Sequence, residues 1–470
     1  MASSIKRAAP LLLAFLVAVV IVDPTGNFPL NDDWSYAKAV KRLVEDGELR
    51  FGDWAAMTQL THIAIGAAVT SVTGFSHVAL RFTTLAIVVI FMVWMSGRGA
   101  SIAPLQAAIV FNPLFFSLSF TFMTDILFAV LFWVSMDLLL REKFGWGMAA
   151  AVAATLTRQT GVGIGLSWMV LGWMSGRAAR APADKGARGA PLQTSIALSI
   201  LLIAVLVAYS VMMRHIGAIS GNYNTLGDLM WILGHERPFA RMGGNLALLL
   251  VYLGLFALPL MPLNLDGIRR AAPAWLTGLL AIGLLALTWG RFPMTHDGNL
   301  LMGWGIGPAV VPGGHGLVAP FPWLGPVLNV LGALGGAAVL VRAAAAWRDP
   351  ETGEFLRWGL VVCAGYLLFL VAGRFLFDRY LLLILPFVLM VVGEGWLSGR
   401  GERAPHAGRP LLQLLSWVMI AVMAAYSVWA TRVQHDWNRA RWAEVERQIE
   451  AGVDPSDIKG GFEVEGWYGD

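Results

Sequence analysis

Long apolar stretches, separated by short basic or polar segments, cover most of this 470-residue chain. An α-helix needs about 20 predominantly apolar residues to cross the hydrocarbon core of a bilayer. The first stretch runs from Pro10 to Val22. Further apolar stretches lie at about 78–96, 102–118, 125–140, 144–157, 160–175, 193–213, 245–263, 272–289, 322–341, 357–373, 378–397 and 411–430. This pattern predicts an all-α polytopic membrane protein.

One stretch, Ala55 to Thr73, is long enough to cross but contains Gln59, His62 and four threonines, so hydropathy alone does not decide its placement. The distribution of basic residues does, because short cytoplasmic loops carry an excess of Lys and Arg. If 55–73 does not cross, the basic loops fall on the same side as Lys6 and Arg7, which precede an uncleaved first span. We therefore predict a helix lying against the outer leaflet and about 13 transmembrane helices.

This arrangement predicts the order of parts along the chain. They are an N-terminal membrane module (1–175) with a first outer loop (23–77), a cytoplasmic linker (176–192), a C-terminal membrane module (193–430) with outer loops at 214–244 and 290–321, and an extracytoplasmic tail (431–470).

Two amphipathic juxtamembrane helices are predicted outside the spans. In the first outer loop, Tyr36, Val40 and Leu43 share one helical stripe that ends before Gly47, and we expect this helix to lie flat on the bilayer. The second covers Gln434 to Glu450 in the tail and precedes a polar end.

Composition excludes several classes of protein. With 57% hydrophobic and only 14% charged residues, the chain cannot bury its apolar surface in water-soluble domains. The net charge of +4 is modest, and no block of Lys and Arg interleaved with aromatic residues indicates a nucleic-acid partner. Cys363 is the only cysteine, so the chain forms neither an intrachain disulfide nor a cysteine metal cluster.

The first outer loop opens with Asn31-Asp32-Asp33-Trp34-Ser35-Tyr36, which places two adjacent carboxylates close to the membrane. Ionised groups near lipid are costly and usually serve ion capture, proton transfer or metal binding. Other titratable residues also collect on the predicted outer side. They are Asp125, Arg158, His215, His235, Arg237, His296, Asp297, Arg374, Asp378 and Arg379. Their sidedness suggests one outward cavity.

Several motifs, in this order, resemble the glycosyltransferase C superfamily. They are NDDWSYA at the start of the loop, Gly74-Phe75 before Ala79-Leu80-Arg81, the segment SFTFMTD, the turn LTRQTG and the run FDRYLLLILP. The chain is most similar to the polyprenyl-phosphate-sugar-dependent branch, which contains protein O-mannosyltransferases and the bacterial aminoarabinose transferase of lipid A. The resemblance covers roughly the first 180 residues and the late span at 374–386.

The resemblance implies a multispan enzyme whose active site faces outward, with an acidic residue of the first loop as general base or metal partner. It puts Asp32 in the position of the base, with Asp33 beside it and Asp125 as a second acid. Arg379 and Tyr380 look like the family's pair near the lipid phosphate. Such an enzyme transfers a sugar from a polyprenyl-phosphate donor to a lipid, glycan or protein acceptor, and a bacterial inner membrane is the expected location.

The same chemistry makes sense of the residue types. Displacement at the anomeric carbon needs a carboxylate that takes a proton from the acceptor and cations that stabilise the departing phosphate. The predicted substrate-binding residues are Tyr36, Arg158, Arg374, Arg379 and Tyr380. A divalent metal between Asp32 and Asp125 is an open alternative, because hard cations favour oxygen ligands.

Structural interpretations stand beside these functional ones. Asp32, Asp33 or Asp125 would also serve as a helix cap, and we expect one acid of the pair to cap and one to be catalytic. Arg158 would also reach the headgroups as a snorkelling side chain, and an arginine at 374 or 379 would also pair with Asp378.

Two other functions remain open at this stage. The first is a flippase or transporter of lipid-linked sugars, which would need charges at the bilayer midplane and broken helices. The second is a glycan polymerase or ligase that shares the donor chemistry.

Overall fold

The computed structural model describes most of the chain. The described residues are 2–52, 54, 56–97, 103–178, 192–218, 230, 234, 237–294, 300–301, 306, 323–373, 376–397 and 410–469.

Within these residues every extended regular element is a helix, in agreement with the predicted all-α class. The α-helices are α1 (Ala2–Val22), α2 (Asp33–Glu45), α3 (Leu60–Thr73), α4 (His77–Ser96), α5 (Ala103–Val110), α6 (Pro113–Leu118), α7 (Thr124–Leu140), α8 (Phe144–Thr157), α9 (Gly163–Ala178), α10 (Leu192–His215), α11 (Pro238–Ala257), α12 (Leu265–Ala271), α13 (Ala274–Thr288), α14 (Leu324–Arg348), α15 (Glu354–Val371), α16 (Leu385–Leu397), α17 (Pro410–Glu450) and α18 (Phe462–Tyr468). Short 3₁₀ turns cover Gln159–Val162, Leu258–Asn264, Asp378–Leu383 and Pro455–Asp457.

Seven helical segments of the described chain are long and apolar enough to cross a membrane. They are Ile5–Val22, His77–Ser96, Leu192–His215, Pro238–Ala271, Leu324–Arg348, Glu354–Val371 and Pro410–Glu450. Three shorter apolar helices, α3, α8 and α13, have 14, 14 and 15 residues. The chain is thus built as a polytopic membrane protein, and the figure of about 13 crossings stays a prediction.

The first loop forms the amphipathic helix that its pattern predicts. α2 buries Tyr36 and Val40 and ends at Glu45, just before Gly47, whose φ of +73° is the left-handed conformation that favours glycine. The expectation that this helix lies flat on the bilayer stays a prediction. Its buried face packs on α3, and α18 contacts α2 as well, so the helix lies between two protein elements.

α3 occupies the weakly apolar stretch that we predicted not to cross. At 14 residues it is about 21 Å long, against a hydrocarbon core of about 30 Å. It packs against α2, α4 and α8. Its length fits a helix that does not span, while its position against the outer leaflet stays a prediction.

The apolar stretch 102–118 does not form one helix. It divides into α5 and α6 around Phe111-Asn112-Pro113, where the Asn112 Oδ1 accepts a hydrogen bond from the Leu114 N–H at 3.0 Å. Proline lacks an N–H donor and starts helices well, so it favours a new helix at this point. Hydropathy does not distinguish this break from a continuous span.

The last predicted span and the predicted tail helix are a single helix. α17 runs over 41 residues, which is about 60 Å and far more than a bilayer core. No Gly or Pro lies between its apolar half and its charged half, so nothing in the sequence ends the first part. The following residues then fold back: α18 packs against α2 instead of extending as a polar end.

Two long-range packings bring distant parts of the chain to the N-terminal helices. The 3₁₀ turn Asp378–Leu383 packs on α7, and Trp133 of α7 donates a hydrogen bond to the Leu383 carbonyl at 2.9 Å. α1 packs on both α4 and α17. The late motif FDRY therefore lies beside the first 160 residues, where most of the other candidate side chains are found.

Candidate functional site

Asp32 occupies the position before the first turn of α2, where an aspartate usually caps the helix. It makes no side-chain capping hydrogen bond. Asn31 before it has a φ of +57°, and the Asn31 Oδ1 accepts a hydrogen bond from the Asp32 N–H at 3.0 Å. The Asp32 carboxylate is therefore available for contacts outside its own helix.

That carboxylate pairs with Arg379. The Asp32 Oδ2 lies 2.7 Å from the Arg379 Nη2, and the two side chains are 29% and 5% exposed respectively. A pair between residues 347 positions apart in sequence joins the first loop to the late 3₁₀ turn. Arg379 therefore pairs with Asp32, and the alternative of a pair with Asp378 does not hold. The Asp378 carboxylate instead accepts hydrogen bonds from the N–H groups of Leu300 and Leu301 at 2.9 and 2.6 Å.

The contact with Asp32 does not use all the hydrogen-bond donors of Arg379. Its Nε and Nη1 are buried and have no hydrogen-bond partner within the described structure. A buried donor without a partner costs about 1–3 kcal/mol. The guanidinium group lies 4.9 Å from the Phe377 ring centroid and 5.9 Å from that of Tyr380, so aromatic faces hold it in place. It presents two unused donors beside a partly exposed carboxylate.

Asp125 and Arg158 form a second pair of the same length. The Arg158 Nη2 lies 2.7 Å from the Asp125 Oδ2, and the side chains are only 7% and 2% exposed. The Arg158 Nε also donates to the Thr124 hydroxyl at 2.9 Å. Arg158 is thus buried in protein, which does not fit the alternative of a side chain that snorkels to the headgroups. Asp125 is not the N-cap of α7 either, since Met123 holds that position.

Asp33 is committed to the backbone. Its Oδ1 accepts from the Leu30 N–H at 2.6 Å and its Oδ2 from the Phe122 N–H at 3.0 Å. Burial raises the pKa of this carboxyl to about 7, although the backbone N–H of Phe122 and the charge of Arg81 oppose the rise. Neither acid of the pair caps α2, so the expectation that one would do so is wrong. Asp33 ties the first loop to the segment before α7.

Arg81, which belongs to one of the family-like motifs, holds the loop from the other side. Its Nη1 donates to the carbonyl oxygens of Pro24 and Gly26 at 2.5 and 3.2 Å, and its Nη2 to that of Phe28 at 2.9 Å. The side chain is almost fully buried. Arginine suits this task because its planar fork carries several donors in fixed directions.

Tyr36 and Tyr380 border the two ion pairs. The Tyr36 hydroxyl donates to the Met57 sulfur at 3.0 Å, and the Thr124 hydroxyl donates to the same sulfur at 3.2 Å. Tyr380 is half-buried, and its ring centroid lies 5.7 Å from the guanidinium carbon of Arg158. No pattern in the sequence singles out Met57, because its contacts depend on which helices pack together.

The structure brings most of the predicted site residues into one cluster. Asp32, Asp125 and the two tyrosines Tyr36 and Tyr380 all lie within electrostatic range of Arg379. Asp33 lies next to the cluster and faces the backbone. Four of the residues singled out from the sequence fall outside the described chain, namely Arg374, His235, His296 and Asp297.

The described donor set does not fit a metal ion well. No group of three or more His, Cys, Asp or Glu side chains suited to a cation occurs among the described residues. Asp32 and Asp125 each already contact a guanidinium group, which neutralises the charge that would attract a cation. As arranged here, these two carboxylates are poorly suited to hold a cation between them.

Comparison with known proteins adds one structural likeness. The sequence matches no known family model and no curated protein. The fold is similar to the crystal structure of ArnT from Cupriavidus metallidurans bound to undecaprenyl phosphate, with 13% identity, a TM-score of 0.48, and coverage of 98% of this chain and 84% of that one. Because the identity and the TM-score are low, the functional conclusion rests on the side chains of the site and not on this likeness.

Proposed function

We propose that this chain is an integral-membrane glycosyltransferase that moves a sugar from a polyprenyl-phosphate donor to an acceptor hydroxyl. The single observation that carries the proposal is the contact between a partly exposed Asp32 carboxylate and a buried Arg379 guanidinium that retains two unpaired donors. This contact supplies a proton acceptor and an anion-binding group side by side.

Asp32 is the acid best placed to meet an acceptor. The side chains of Asp33, Asp125 and Asp378 are nearly or fully buried and already hydrogen-bonded, whereas 29% of the Asp32 side chain is exposed. A general base must come within about 2.6–3.2 Å of the proton that it takes, so access is the first requirement. We assign Asp32 as this base.

Arg379 is the group that would bind the donor phosphate. A phosphate oxygen accepts hydrogen bonds readily from a guanidinium group, and bidentate contacts are strong because both partners are charged. The two buried, unpaired N–H positions on Arg379 are suited to such a ligand. The half-buried Tyr380 ring beside it would then face the donor at the mouth of the site.

The reaction is an inverting displacement. The acceptor oxygen forms a bond to the anomeric carbon while its proton passes to the Asp32 carboxylate. The bond between the anomeric carbon and the phosphate oxygen breaks, and its electron pair leaves with polyprenyl phosphate, whose charge Arg379 stabilises. One base is sufficient, because the leaving phosphate needs no protonation.

Asp125 and Arg158 would support the site without chemical participation. The Arg158 Nη2 is paired with the Asp125 carboxylate, and the Arg158 Nε donates a hydrogen bond to the Thr124 hydroxyl. The positive charge of Arg158 adds to the field at the phosphate. The sidedness of the site follows from the distribution of basic loops, which favours the extracytoplasmic face, and the bacterial inner membrane is the proposed location.

The test is incubation of the purified chain with a polyprenyl-phosphate sugar labelled in the sugar, followed by separation of lipid products. Transfer predicts release of unlabelled polyprenyl phosphate and appearance of label on the acceptor. In sealed vesicles, movement of the label between leaflets without cleavage would indicate a flippase and contradict the proposal.

A parallel incubation with EDTA tests the metal alternative. Activity that survives EDTA agrees with a site built from arginine and aspartate alone. Activity that EDTA abolishes and Mg²⁺ restores would show that a cation joins the Asp32 carboxylate in the reaction.

A further inference from the structure

The residues after α17 fold back onto the loop that carries Asp32. We call residues 451–469 the return segment. Within it, Glu463 is almost completely buried, which is unusual for an ionised side chain unless it is paired. Both of its carboxylate oxygens have partners: the Oε1 accepts from the Asn31 backbone N–H at 3.2 Å, and the Oε2 accepts from the Arg441 Nη1 at 2.8 Å.

The contact with Asn31 acts directly on the backbone next to Asp32. Asn31 has a φ of +57°, a conformation that L-residues rarely adopt and that asparagine tolerates better than most. The Glu463 carboxylate binds the N–H of this residue, and the Asn31 side chain in turn accepts from the Asp32 N–H. The direction in which Asp32 leaves the loop therefore depends on this contact.

Arg441 connects the contact to the long helix. It belongs to α17, its side chain is 8% exposed in the pair with Glu463, and its Nη2 also donates to the Asn438 Oδ1 at 2.6 Å. Its guanidinium carbon lies 4.6 Å from the ring centroid of Trp437. Glu463 thus connects α17, through Arg441, to the backbone of the first loop at Asn31.

Packing around Glu463 keeps the return segment in place. Val464 joins a small buried cluster with Phe28 and Leu30, which lie three positions and one position before Asn31. The Lys38 ammonium donates to the Gly466 carbonyl at 3.2 Å and also contacts the Gly469 carbonyl. A side chain at Gly466 would overlap the ring of Trp34, which shows how closely the return segment approaches α2.

We infer that Glu463 is a positioning residue for the reaction, and that the return segment sets the direction of the Asp32 carboxylate toward Arg379. The inference rests on the proposed function and extends it to a part of the chain that shares no motif with the site. Glu463 contacts neither Asp32 nor Arg379 through its side chain, so it acts through Asn31.

The experiment compares Glu463→Ala and Glu463→Gln with a matched surface control, Glu444→Gln. Glu444 lies on α17 and pairs only with neighbouring exposed groups of the same helix. Steady-state transfer gives kcat and the donor KM per folded molecule, and hydrogen exchange of the peptide that contains residues 30–36 reports the loop directly.

The inference predicts that Glu463→Ala lowers kcat roughly 10- to 100-fold, because a small displacement of a catalytic group is costly, while the donor KM is unchanged. Exchange at residues 30–36 rises. Glu463→Gln keeps an oxygen for the Asn31 N–H and should retain more kcat than Glu463→Ala. If Glu463→Ala does not fold, Glu463→Gln decides: it removes the charge that pairs with Arg441, so its kcat must still fall below that of Glu444→Gln and exchange at residues 30–36 must still rise.

A kcat per folded molecule equal to that of Glu444→Gln would overturn the inference, as would unchanged exchange at residues 30–36. Failure of the proposed function is distinguishable, since the wild type itself would then release no polyprenyl phosphate from the labelled donor. In that case the exchange comparison still decides whether Glu463 holds the loop.

Discussion

The two acid–arginine pairs of the site have the same length and opposite surroundings. In each, a guanidinium Nη2 lies 2.7 Å from a carboxylate oxygen. In the Asp125–Arg158 pair both side chains are buried, and the Arg158 Nε donates a hydrogen bond to the Thr124 hydroxyl. In the Asp32–Arg379 pair the acid is partly exposed, and the arginine keeps two unpaired buried donors.

This difference separates structural from chemical roles. A buried pair whose hydrogen bonds are satisfied contributes a fixed geometry, and removal of one partner leaves an uncompensated charge. A pair with free donors and an accessible carboxylate can exchange part of its contacts for those of a substrate. Distance alone would not have distinguished the two pairs.

The largest expected effect is that of Asp32→Asn on turnover. Asparagine keeps the size of the side chain and a hydrogen-bond acceptor for Arg379 but cannot take a proton, so kcat should fall by about 10²–10⁴. The donor KM should change little, and the free energy of unfolding should fall less than in Asp125→Asn, because the Asp32 side chain is 29% exposed. The control is Asp46→Asn, since Asp46 is exposed just after α2. Wild-type turnover by Asp32→Asn would remove the base assignment.

Asp125→Asn should affect stability instead of chemistry. The change leaves the buried guanidinium group of Arg158 without its counter-charge, which costs about 3–5 kcal/mol in comparable buried pairs. We expect a lower unfolding midpoint in detergent, measured by thermal or denaturant unfolding, while turnover per folded molecule stays within the range of the wild type. A large loss of kcat without loss of stability would give this pair the chemical role.

Asp33 differs from the acids of the two pairs, because its hydrogen-bond partners are backbone N–H groups and not an arginine. A pH series measures what this difference does to the free energy of unfolding. Burial raises its pKa from 3.8 to about 7. The folded state therefore holds a proton that the unfolded chain has released between these values, so stability should fall as pH rises from about 4 to about 7 and level off above that. The contribution has a slope of up to about 1.4 kcal/mol per pH unit.

The measurement is the free energy of unfolding at several pH values for the wild type and Asp33→Asn. The variant should lack this part of the slope, because its amide does not titrate. Identical pH profiles for the two proteins would contradict the assignment of the slope to Asp33.

Arg379→Lys is expected to have the smallest effect of the four. Lysine keeps the positive charge but lacks the planar fork, so it cannot hold Asp32 and a phosphate through separate edges. We expect kcat/KM for the donor to fall about 10- to 100-fold, with most of the loss in KM. Lys41→Arg serves as a control, since Lys41 lies on α2 with its ammonium group 5.8 Å from the Phe75 ring centroid. An unchanged KM would show that the phosphate binds elsewhere.

The helical architecture and much of the site were predictable from the sequence, for identifiable reasons. α8 begins and ends where its apolar run does, and α2 follows the stripe of Tyr36 and Val40 to a glycine. The order of motifs also singled out Asp32, Asp125, Arg158 and Arg379, which the fold brings together.

Other features do not follow from hydropathy. The break between α5 and α6 lies inside one apolar run, and α17 continues without interruption from an apolar half into a charged half. The contact of Glu463 with Asn31 joins residues 432 positions apart, in a segment that looks like a polar end. The sequence likewise could not say which of two similar acids would be left accessible.

The most direct test of the account measures polyprenyl phosphate released per folded molecule by Asp32→Asn and Asp125→Asn, side by side, from the same labelled donor. Folded protein is quantified by size-exclusion chromatography of each preparation. The account predicts that Asp32→Asn is stable and inactive, whereas Asp125→Asn is less stable and active. The reverse result, with Asp32→Asn active and Asp125→Asn stable but silent, would contradict it.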